Sequence, residues 1–318
     1  MTADAPNSHA MTNMTNAKNV PTPALTATTP AGEAAAKLDK LKARLAALGS
    51  LVVAYSGGVD STFLLDVARE VLPTGRVLAV TAASPTYFKE EVEEAQRVGR
   101  AMGVRHTVIE SHEFELPEFR VNPPDRCYHC KKELFSTLTA IAKAEGLATV
   151  ADGANASDLA DYRPGARAGA ELGVISPLQE AGLTKDEIRL LSRDRNLPTW
   201  NKPALACLAS RFPYGKEITA EALRRVGGLE RYLHDLGFTQ VRARHHDTIV
   251  RLELLPSEMK LALAHREDIA AEAKRLGYTY CALDLLGYRT GSMNLTLPSR
   301  VSSERKSPEF GGVSEANR

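Results

Sequence analysis

The sequence has no long apolar run and almost no net charge. Its 40 Lys and Arg residues face 39 Asp and Glu residues, which leaves a formal charge of +1 on 318 residues. Balanced charge gives no support to a nucleic-acid partner. Without an apolar stretch of about 20 residues, a membrane span is not expected either. The N-terminus has no basic segment followed by an apolar core, so we predict no signal peptide.

Cysteine is scarce, with four in the chain. Without a secretory signal, so few thiols favour a reducing cytoplasm and a metal-binding or catalytic use. Cys127 and Cys130 form a CxxC, whose two thiols can hold a metal or a cluster from one side. With Cys207 as a third ligand, three alternatives stay open: an iron–sulfur cluster, zinc completed by a histidine such as His129, or no metal and a nucleophilic Cys207. Cys281 lies in a buried-strand pattern and is expected to be a packed core thiol.

The Walker pattern GxxxxGK[ST] is also missing, so γ-phosphoryl transfer is not implied. In its place an apolar run over 51–55 leads into SGGVDS at 56–61 and then into helical spacing. This strand, glycine turn and helix would aim free N–H groups and a helix dipole at one anion. A carboxylate beside phosphate needs a cation between them, so Asp60 predicts Mg²⁺. The predicted phosphate-binding residues are Ser56, Gly57, Gly58, Asp60, Ser61 and Thr62.

Strand and helix patterns alternate along the first two thirds of the chain. This order predicts an α/β fold with a doubly wound, mostly parallel sheet. Ligands of such sheets bind at the carboxyl ends of the strands, where Thr81 and Ser84 are expected beside adenine and Asp152 and Gly153 on a second loop. The predicted strands are 51–55, 76–81, 104–110 and 147–151, and the predicted helices are 34–48, 88–102 and 133–144.

Composition divides the chain into four parts. Residues 1–33 are poor in large apolar groups and predict a disordered tail, and 298–318 predict a polar tail. Between them we expect a nucleotide-binding domain over 34–200 and a smaller α+β domain over 201–297, in the order helix, strand, strand, helix, strand. Thr184 to Glu187 has the pattern of a capping box. The long irregular segment 197–216 is expected to carry function, and the tandem His245 and His246 are expected at the surface.

Several charged side chains are candidates for holding an anionic substrate. Arg242 and Arg244 alternate along a predicted strand and therefore share one face, where two like charges favour an anion between them. Arg211 closely follows Cys207 and has a fork that suits phosphate or carboxylate. The simpler alternatives are a solvated strand face for the pair and a surface acid as the partner of Arg211. Further candidates are Arg163, Arg167, Glu230 and Asp284.

Six segments together carry a family resemblance. They are SGGVDS, NPPDRCYHCK, DGANASD, PALACLASRFPYG, VRARHHDTIVRLE and LDLLGYRTGSMN, in this order over about 34–295. The chain thereby resembles the LarE family of ATP-dependent sulfur transferases, which are PP-loop ATP pyrophosphatases. The resemblance implies that ATP adenylates a carboxylate of pyridinium-3,5-biscarboxylic acid mononucleotide. Sulfur then displaces AMP to give a thiocarboxylate, in the pathway to the nickel-pincer cofactor of lactate racemase.

The resemblance also implies roles for single residues. Cys127, Cys130 and Cys207 would hold a [4Fe-4S] cluster whose extra sulfide is transferred, and in the alternative version Cys207 itself gives up its sulfur. Cys207, Asp60 and Arg211 are the expected catalytic residues. A homo-oligomer and a protein that delivers sulfide are expected partners. Competing functions are a tRNA thiolation enzyme, a nucleotide-binding regulatory module and an amidating ligase. The expected substrate contacts are Arg163, Arg167, Arg242, Arg244 and Glu230.

Overall fold

Four parallel strands form the larger of two sheets, in the order β3-β2-β1-β4. The computed structural model describes residues 30–160, 163–203, 206–289 and 292 of the chain. Strands β1 and β2 are apolar and buried because helices cover both faces of a parallel sheet. This arrangement confirms the predicted α/β class. The strands are β1 Leu51–Ala54, β2 Val77–Ala83, β3 Arg105–Glu110 and β4 Val150–Ala151, the last shorter than predicted.

Eleven α-helices are assigned within the described ranges. Two begin earlier than predicted: α1 starts inside the expected tail, and α5 starts seven residues before 133, so that it includes the CxxC. Of the predicted tails over 1–33 and 298–318, residues 1–29 and 298–318 lie outside the described residues. The helices are α1 Pro30–Leu48, α2 Val59–Val71, α3 Lys89–Ala101, α4 Pro117–Arg120, α5 Arg126–Ala144, α6 Pro164–Glu171, α7 Pro177–Glu180, α8 Lys185–Asp194, α9 Ala220–Asp235, α10 Met259–Ala264 and α11 Arg266–Arg275.

A smaller sheet of three strands follows in the C-terminal part. Strands β5 and β6 are antiparallel, and β7 pairs in parallel with β6. This sheet has its own apolar core, to which α9 contributes Leu223, Val226 and Leu229. The predicted α+β order is confirmed, while the domain boundary at 200–201 stays a prediction. The strands are β5 Val241–His246, β6 Ile249–Leu254 and β7 Tyr280–Leu283.

The order of the parallel strands determines where a ligand can bind. From β1 the chain crosses to β2 and β3 on one side and later returns to β4 on the other side. The crevice outside the carboxyl ends of β1 and β4 is therefore the switch point of the sheet, the usual ligand site of such folds. The glycine turn follows β1, and Asp152 follows β4.

Helix α8 begins at the predicted capping box. The hydroxyl of Thr184 accepts from the backbone N–H of Glu187, and the Glu187 carboxylate accepts from the backbone N–H of Thr184 at 2.8 Å. Such a reciprocal cap satisfies two free N–H groups and fixes the start of the helix. No helix in the described ranges is long and apolar enough to cross a membrane, and a cytoplasmic location stays a prediction.

Candidate active site

The glycine turn after β1 is closely packed between two neighbouring elements. Gly57 has φ +69°, and a Cβ there would lie 2.8 Å from the Cβ of Ala95 on α3. A Cβ on Gly153 would lie 3.1 Å from the backbone nitrogen of Ser61, at the start of α2. Only glycine fits such approaches. The structure therefore brings the loops after β1 and β4 together, and the backbone at both is close to the start of α2.

Hydroxyl groups line the inside of this turn. The Ser56 and Ser61 hydroxyl oxygens lie 3.1 Å apart, and the backbone N–H of Gly58 donates to the Ser56 hydroxyl at 3.4 Å. Ser56 is exposed, whereas Ser61 and Thr62 are buried. The predicted phosphate-binding residues thus lie on one short turn at the N-terminus of α2, where an anion is favoured. Their contact with phosphate stays a prediction.

Asp60 already carries a cationic partner. Its carboxylate accepts from Lys185 Nζ at 2.5 Å and from the Asn155 side-chain amide at 3.3 Å. Lys185 is the first residue of α8, so the capping box aims it at the turn. A partly exposed carboxylate at this position also suits Mg²⁺, which prefers oxygen ligands shared with phosphates. An ammonium group thus lies beside Asp60, and the binding of Mg²⁺ by this carboxylate stays a prediction.

A second lysine reaches the turn from the segment before Cys207. Lys202 Nζ donates to the Gly57 carbonyl at 3.3 Å and to Glu94 on α3 at 2.8 Å. Neither Lys185 nor Lys202 belongs to the predicted site residues. The available signal was their sequence position, directly after a helix cap and at the head of the Cys207 segment.

The hydroxyls expected beside adenine have partners inside the protein. Thr81 donates to the Tyr55 carbonyl at 2.7 Å. Ser84 donates to the buried carboxylate of Glu113, which also accepts from Thr86 at 2.8 Å. Ser84 directly follows β2 and Thr81 lies two residues before the end of the strand, and these contacts stabilise that end. An adenine contact by either residue stays a prediction.

Three of the four thiols lie in one region. Cys127 and Cys130 are in the first turn of α5, three residues apart and therefore on one helix face. Cys207 stands directly before the 3₁₀-helix Leu208–Arg211. Burial raises the pKa of the Cys130 and Cys207 thiols, and the two other thiols of the trio raise the pKa of Cys130 further. The structure thus places the three cysteines in one region, and their role as ligands stays a prediction.

The three thiols lie in one region but do not form a ready metal-binding site. In the part of the chain that the structure describes, no group of three His, Cys, Asp or Glu side chains is placed to hold a metal ion. The donor set nevertheless fits a soft metal or an iron–sulfur cluster, because these prefer thiolate ligands. Cys281 lies apart from the trio, on β7, where burial raises its pKa to about 11.

Arg126 joins the two cysteine segments. Its guanidinium donates to the Ala209 carbonyl at 2.8 Å, to the Asn122 side chain at 2.6 Å and to Cys127 Sγ at 3.8 Å. The side chain is only 2% exposed. From the other side, the backbone N–H of Leu208 donates to the Thr86 carbonyl at 2.8 Å. The Cys207 segment is therefore fixed both to α5 and to the loop after β2.

Arg211 and Glu230 form a buried pair. Both side chains are at most 2% exposed, and the Arg211 fork meets the Glu230 carboxylate at 2.8 and 2.7 Å. The alternative of a partner acid at the surface is wrong in its location, because this acid is buried. Arg211 also donates to the carbonyls of Ala206 and Cys207. The Arg211 guanidinium and the Glu230 carboxylate thus bind each other, and a contact of either residue with substrate stays a prediction.

Replacing Arg211 with methionine is expected to lower the free energy of unfolding by about 3–5 kcal/mol, because it leaves Glu230 buried without its charge partner. Adding Glu230→Gln to Arg211→Met should recover part of the loss. Urea denaturation measures both values. Arg266→Met, which removes an exposed arginine from α11, serves as the matched control and should change little. Equal losses for Arg211→Met and Arg266→Met would contradict the buried pair.

Arg242 and Arg244 lie on one side of β5, as predicted, but not on a solvated face. They are 6% and 8% exposed. Arg244 donates to Glu253 and to the Ser210 carbonyl, each at 2.7 Å. Arg242 stacks over the Tyr288 ring at 5.2 Å. The solvated alternative is therefore wrong, and Arg244 contacts the same segment that carries Cys207.

Comparison with known proteins adds the family. No family model matches the chain. An uncharacterised protein of Synechocystis is 43% identical over 263 residues, which is 82% of this chain and 98% of that protein. The pyridinium-3,5-bisthiocarboxylic acid mononucleotide synthase of Lactiplantibacillus plantarum is 38% identical, over 83% of this chain and 95% of its own length. The chain belongs to the LarE family.

A more distant relative matches a shorter part of the chain. The argininosuccinate synthase of Haloarcula marismortui is 26% identical over 162 residues, which is 47% of this chain and 38% of that protein. This similarity agrees with a PP-loop type of fold.

In this LarE chain one of the two expected arginines after β4 packs against α5. Arg167 stacks over the Tyr128 ring at 3.9 Å, and a Cβ on Gly165 would lie 2.8 Å from Lys131. Arg163 pairs with Asp158 at 2.7 Å. Both arginines are exposed, and their contact with phosphate stays a prediction. Residues 161 and 162 lie outside the described residues.

One of the two tandem histidines is buried. His245 is 6% exposed, lies 5.0 Å from the Phe212 ring and contacts the Tyr278 hydroxyl at 3.1 Å. His246 is exposed. The surface prediction is therefore wrong for His245, because both residues belong to β5 and alternate across the sheet. Asp284, directly after β7, pairs with Arg251 on the neighbouring strand β6.

Proposed function

We propose that this LarE-family chain is an ATP-dependent sulfur transferase. It adenylates a carboxylate of pyridinium-3,5-biscarboxylic acid mononucleotide and converts it to a thiocarboxylate, with AMP and pyrophosphate as products. The similarity to the Lactiplantibacillus synthase over 95% of its length carries the proposal. The glycine turn and the cysteine trio support the proposal, because activation by ATP needs a phosphate-binding turn and sulfur transfer needs a source of sulfur.

In the first step, ATP binds at the glycine turn. The backbone N–H groups of Gly57 and Gly58 and the nearby hydroxyls donate to phosphate oxygens, and Asp60 would hold Mg²⁺. A bound Mg²⁺ supplies positive charge that offsets the charge of the departing pyrophosphate. Lys185, displaced from Asp60, remains within reach as a further cation. A carboxylate is a poor acceptor, so its attachment to AMP provides the leaving group that sulfur later displaces.

In the second step, sulfur attacks the activated carboxyl group. Cys127, Cys130 and Cys207 would hold a [4Fe-4S] cluster, which supplies the sulfur atom when bound. Arg126 holds the two cysteine segments together, and Cys130 and Cys207 are partly buried. In the alternative, Cys207 gives up its own sulfur. The mass of the chain after turnover distinguishes this mechanism from the cluster mechanism.

The substrate is an anion with a phosphate and two carboxylates. Arg242 and Arg244 would bind one of these groups from β5, and Arg163 and Arg167 another from the loop after β4. The proposal includes a homo-oligomer, a protein that delivers sulfide, and lactate racemase as the user of the finished cofactor.

The direct test is product formation by the purified full-length chain. With Mg²⁺, ATP and the pyridinium dicarboxylate mononucleotide, AMP and pyrophosphate should form in equal amounts, and omission of the dicarboxylate should remove most of the AMP. Bulk tRNA replaces the dicarboxylate in a parallel sample. AMP formation that requires tRNA would instead favour the tRNA thiolation alternative, and no AMP in either sample would reject both.

A further inference from the structure

Lys202 extends over the glycine turn from outside the turn itself. Its ammonium group donates to the Gly57 carbonyl at 3.3 Å and to Glu94 at 2.8 Å, and its side chain is 13% exposed. We propose that Lys202 is a pyrophosphate ligand, which exchanges Glu94 for a phosphate oxygen when ATP binds. The inference rests on the proposed function and adds a binding residue to it.

The backbone around Lys202 is fixed independently of this contact. Arg189 on α8 donates to the carbonyl of Trp200 at 3.1 Å and to the carbonyl of Lys202 at 2.9 Å. The same helix carries Lys185 at its first residue. One helix therefore carries Lys185 and holds the backbone at Lys202, and the position of this backbone does not depend on the pair of Lys202 with Glu94.

The charges around the turn are paired and balanced. Lys185 faces Asp60, and Lys202 faces Glu94. A phosphate group that enters the turn adds negative charge and competes with both carboxylates for these cations. Lysine suits this exchange because its ammonium group is a compact charge with three donors that can turn from one oxygen to another.

The contact with the Gly57 carbonyl indicates how the Lys202 ammonium group would favour phosphate binding. A carbonyl oxygen in a phosphate-binding turn repels phosphate unless a donor covers it, and Lys202 covers it. Because Nζ contacts the turn itself, the phosphates concerned are those that the turn binds. In the proposed reaction these are the two phosphates released as pyrophosphate, whereas the adenylate remains with the substrate.

The test compares variants by the dissociation constants of inorganic pyrophosphate and AMP, each with Mg²⁺, measured by calorimetry on the full-length chain. Lys202→Met should weaken pyrophosphate binding about 10- to 100-fold, the value of a charged hydrogen bond, and leave AMP binding unchanged. Lys202→Arg should retain most of the affinity. Glu94→Gln should tighten pyrophosphate binding, because it removes the competitor for Lys202. Lys89→Met removes an exposed Lys–Glu pair of the same helix and is the matched control.

The opposite changes in pyrophosphate affinity expected for Lys202→Met and Glu94→Gln distinguish a binding role of Lys202 from a purely structural role. Lys202→Met and Glu94→Gln break the same ion pair, so a residue that only holds the segment on α3 would make both variants bind more weakly. That result would overturn the inference, as would a Lys202→Met variant that loses affinity for AMP but not for pyrophosphate. A wild-type chain that binds no pyrophosphate would overturn both the inference and the nucleotide half of the proposed function.

Discussion

Cys207→Ala is expected to abolish thiocarboxylate formation, by at least about a thousandfold, and to spare AMP formation. The reason is that Cys207 lies on the sulfur side of the reaction in both versions, as a cluster ligand or as the sulfur donor, and no other thiol reaches its position. AMP formation depends on the glycine turn. The measurement follows AMP and thiocarboxylate in the same anaerobic reaction.

Cys281→Ala is the matched control for this experiment. Cys281 is also a partly buried free thiol, but it lies on β7 in the smaller sheet. Its removal should leave both products at the wild-type level. A Cys207→Ala variant that forms thiocarboxylate at the wild-type rate would remove Cys207 from the mechanism. Loss of AMP formation as well would place Cys207 in the activation step.

Asp60→Asn is expected to reduce AMP and pyrophosphate formation by at least about a thousandfold. The amide has nearly the same shape as the carboxylate but carries no charge, so it binds Mg²⁺ poorly while the neighbouring contacts of the turn are kept. Thermal unfolding should change little, since the fold of the turn depends on its glycines rather than on this charge. Release of AMP and pyrophosphate from labelled ATP is the measurement.

Asp194→Asn provides the control, because Asp194 is an exposed acid in the last turn of α8, far along that helix from Lys185. It should keep wild-type activity. An Asp60→Asn variant that forms AMP normally would show that the charge of Asp60 has no role in activation. Recovery of activity at high Mg²⁺ would be consistent with a weakened metal site.

Features encoded by neighbouring residues could be predicted from the sequence. The strand, glycine turn and helix over 51–71 are fixed by local pattern and by the freedom of glycine at Gly57. The capping box at Thr184 is local as well. The parallel sheet follows from the alternation of elements, and its carboxyl edge then brings the loops after β1 and β4 together without any knowledge of side-chain contacts.

Partners that are distant in sequence could not be predicted. Lys202 meets Gly57 across 145 positions, and Arg126 meets Ala209 across 83 positions. No local pattern encodes such pairs, because they depend on how the segment 197–216 lies on α3 and α5. The partner of Arg211 could not be predicted for the same reason. Its guanidinium can bind any carboxylate, and only the fold places the buried Glu230 beside it.

The start of α5 was predicted too late in the chain, because tertiary contacts stabilise its first residues. The sequence pattern predicts a helix only from 133, yet the helix begins at Arg126. The buried contacts of Arg126 with Asn122 and Ala209 stabilise this early start. As a result Cys127 and Cys130 lie on a helix face rather than on a loop, which fixes their spacing.

A single anaerobic turnover tests the central claim most directly, with the masses of the product and of the intact chain measured in the same sample. The account predicts a product in which sulfur has replaced one carboxylate oxygen, equal amounts of AMP and product, and a reconstituted brown chain whose Cys207 keeps its sulfur. A chain lighter by one H₂S at Cys207 would contradict the cluster as the source. A product that contains no sulfur, despite ATP consumption, would contradict the account as a whole.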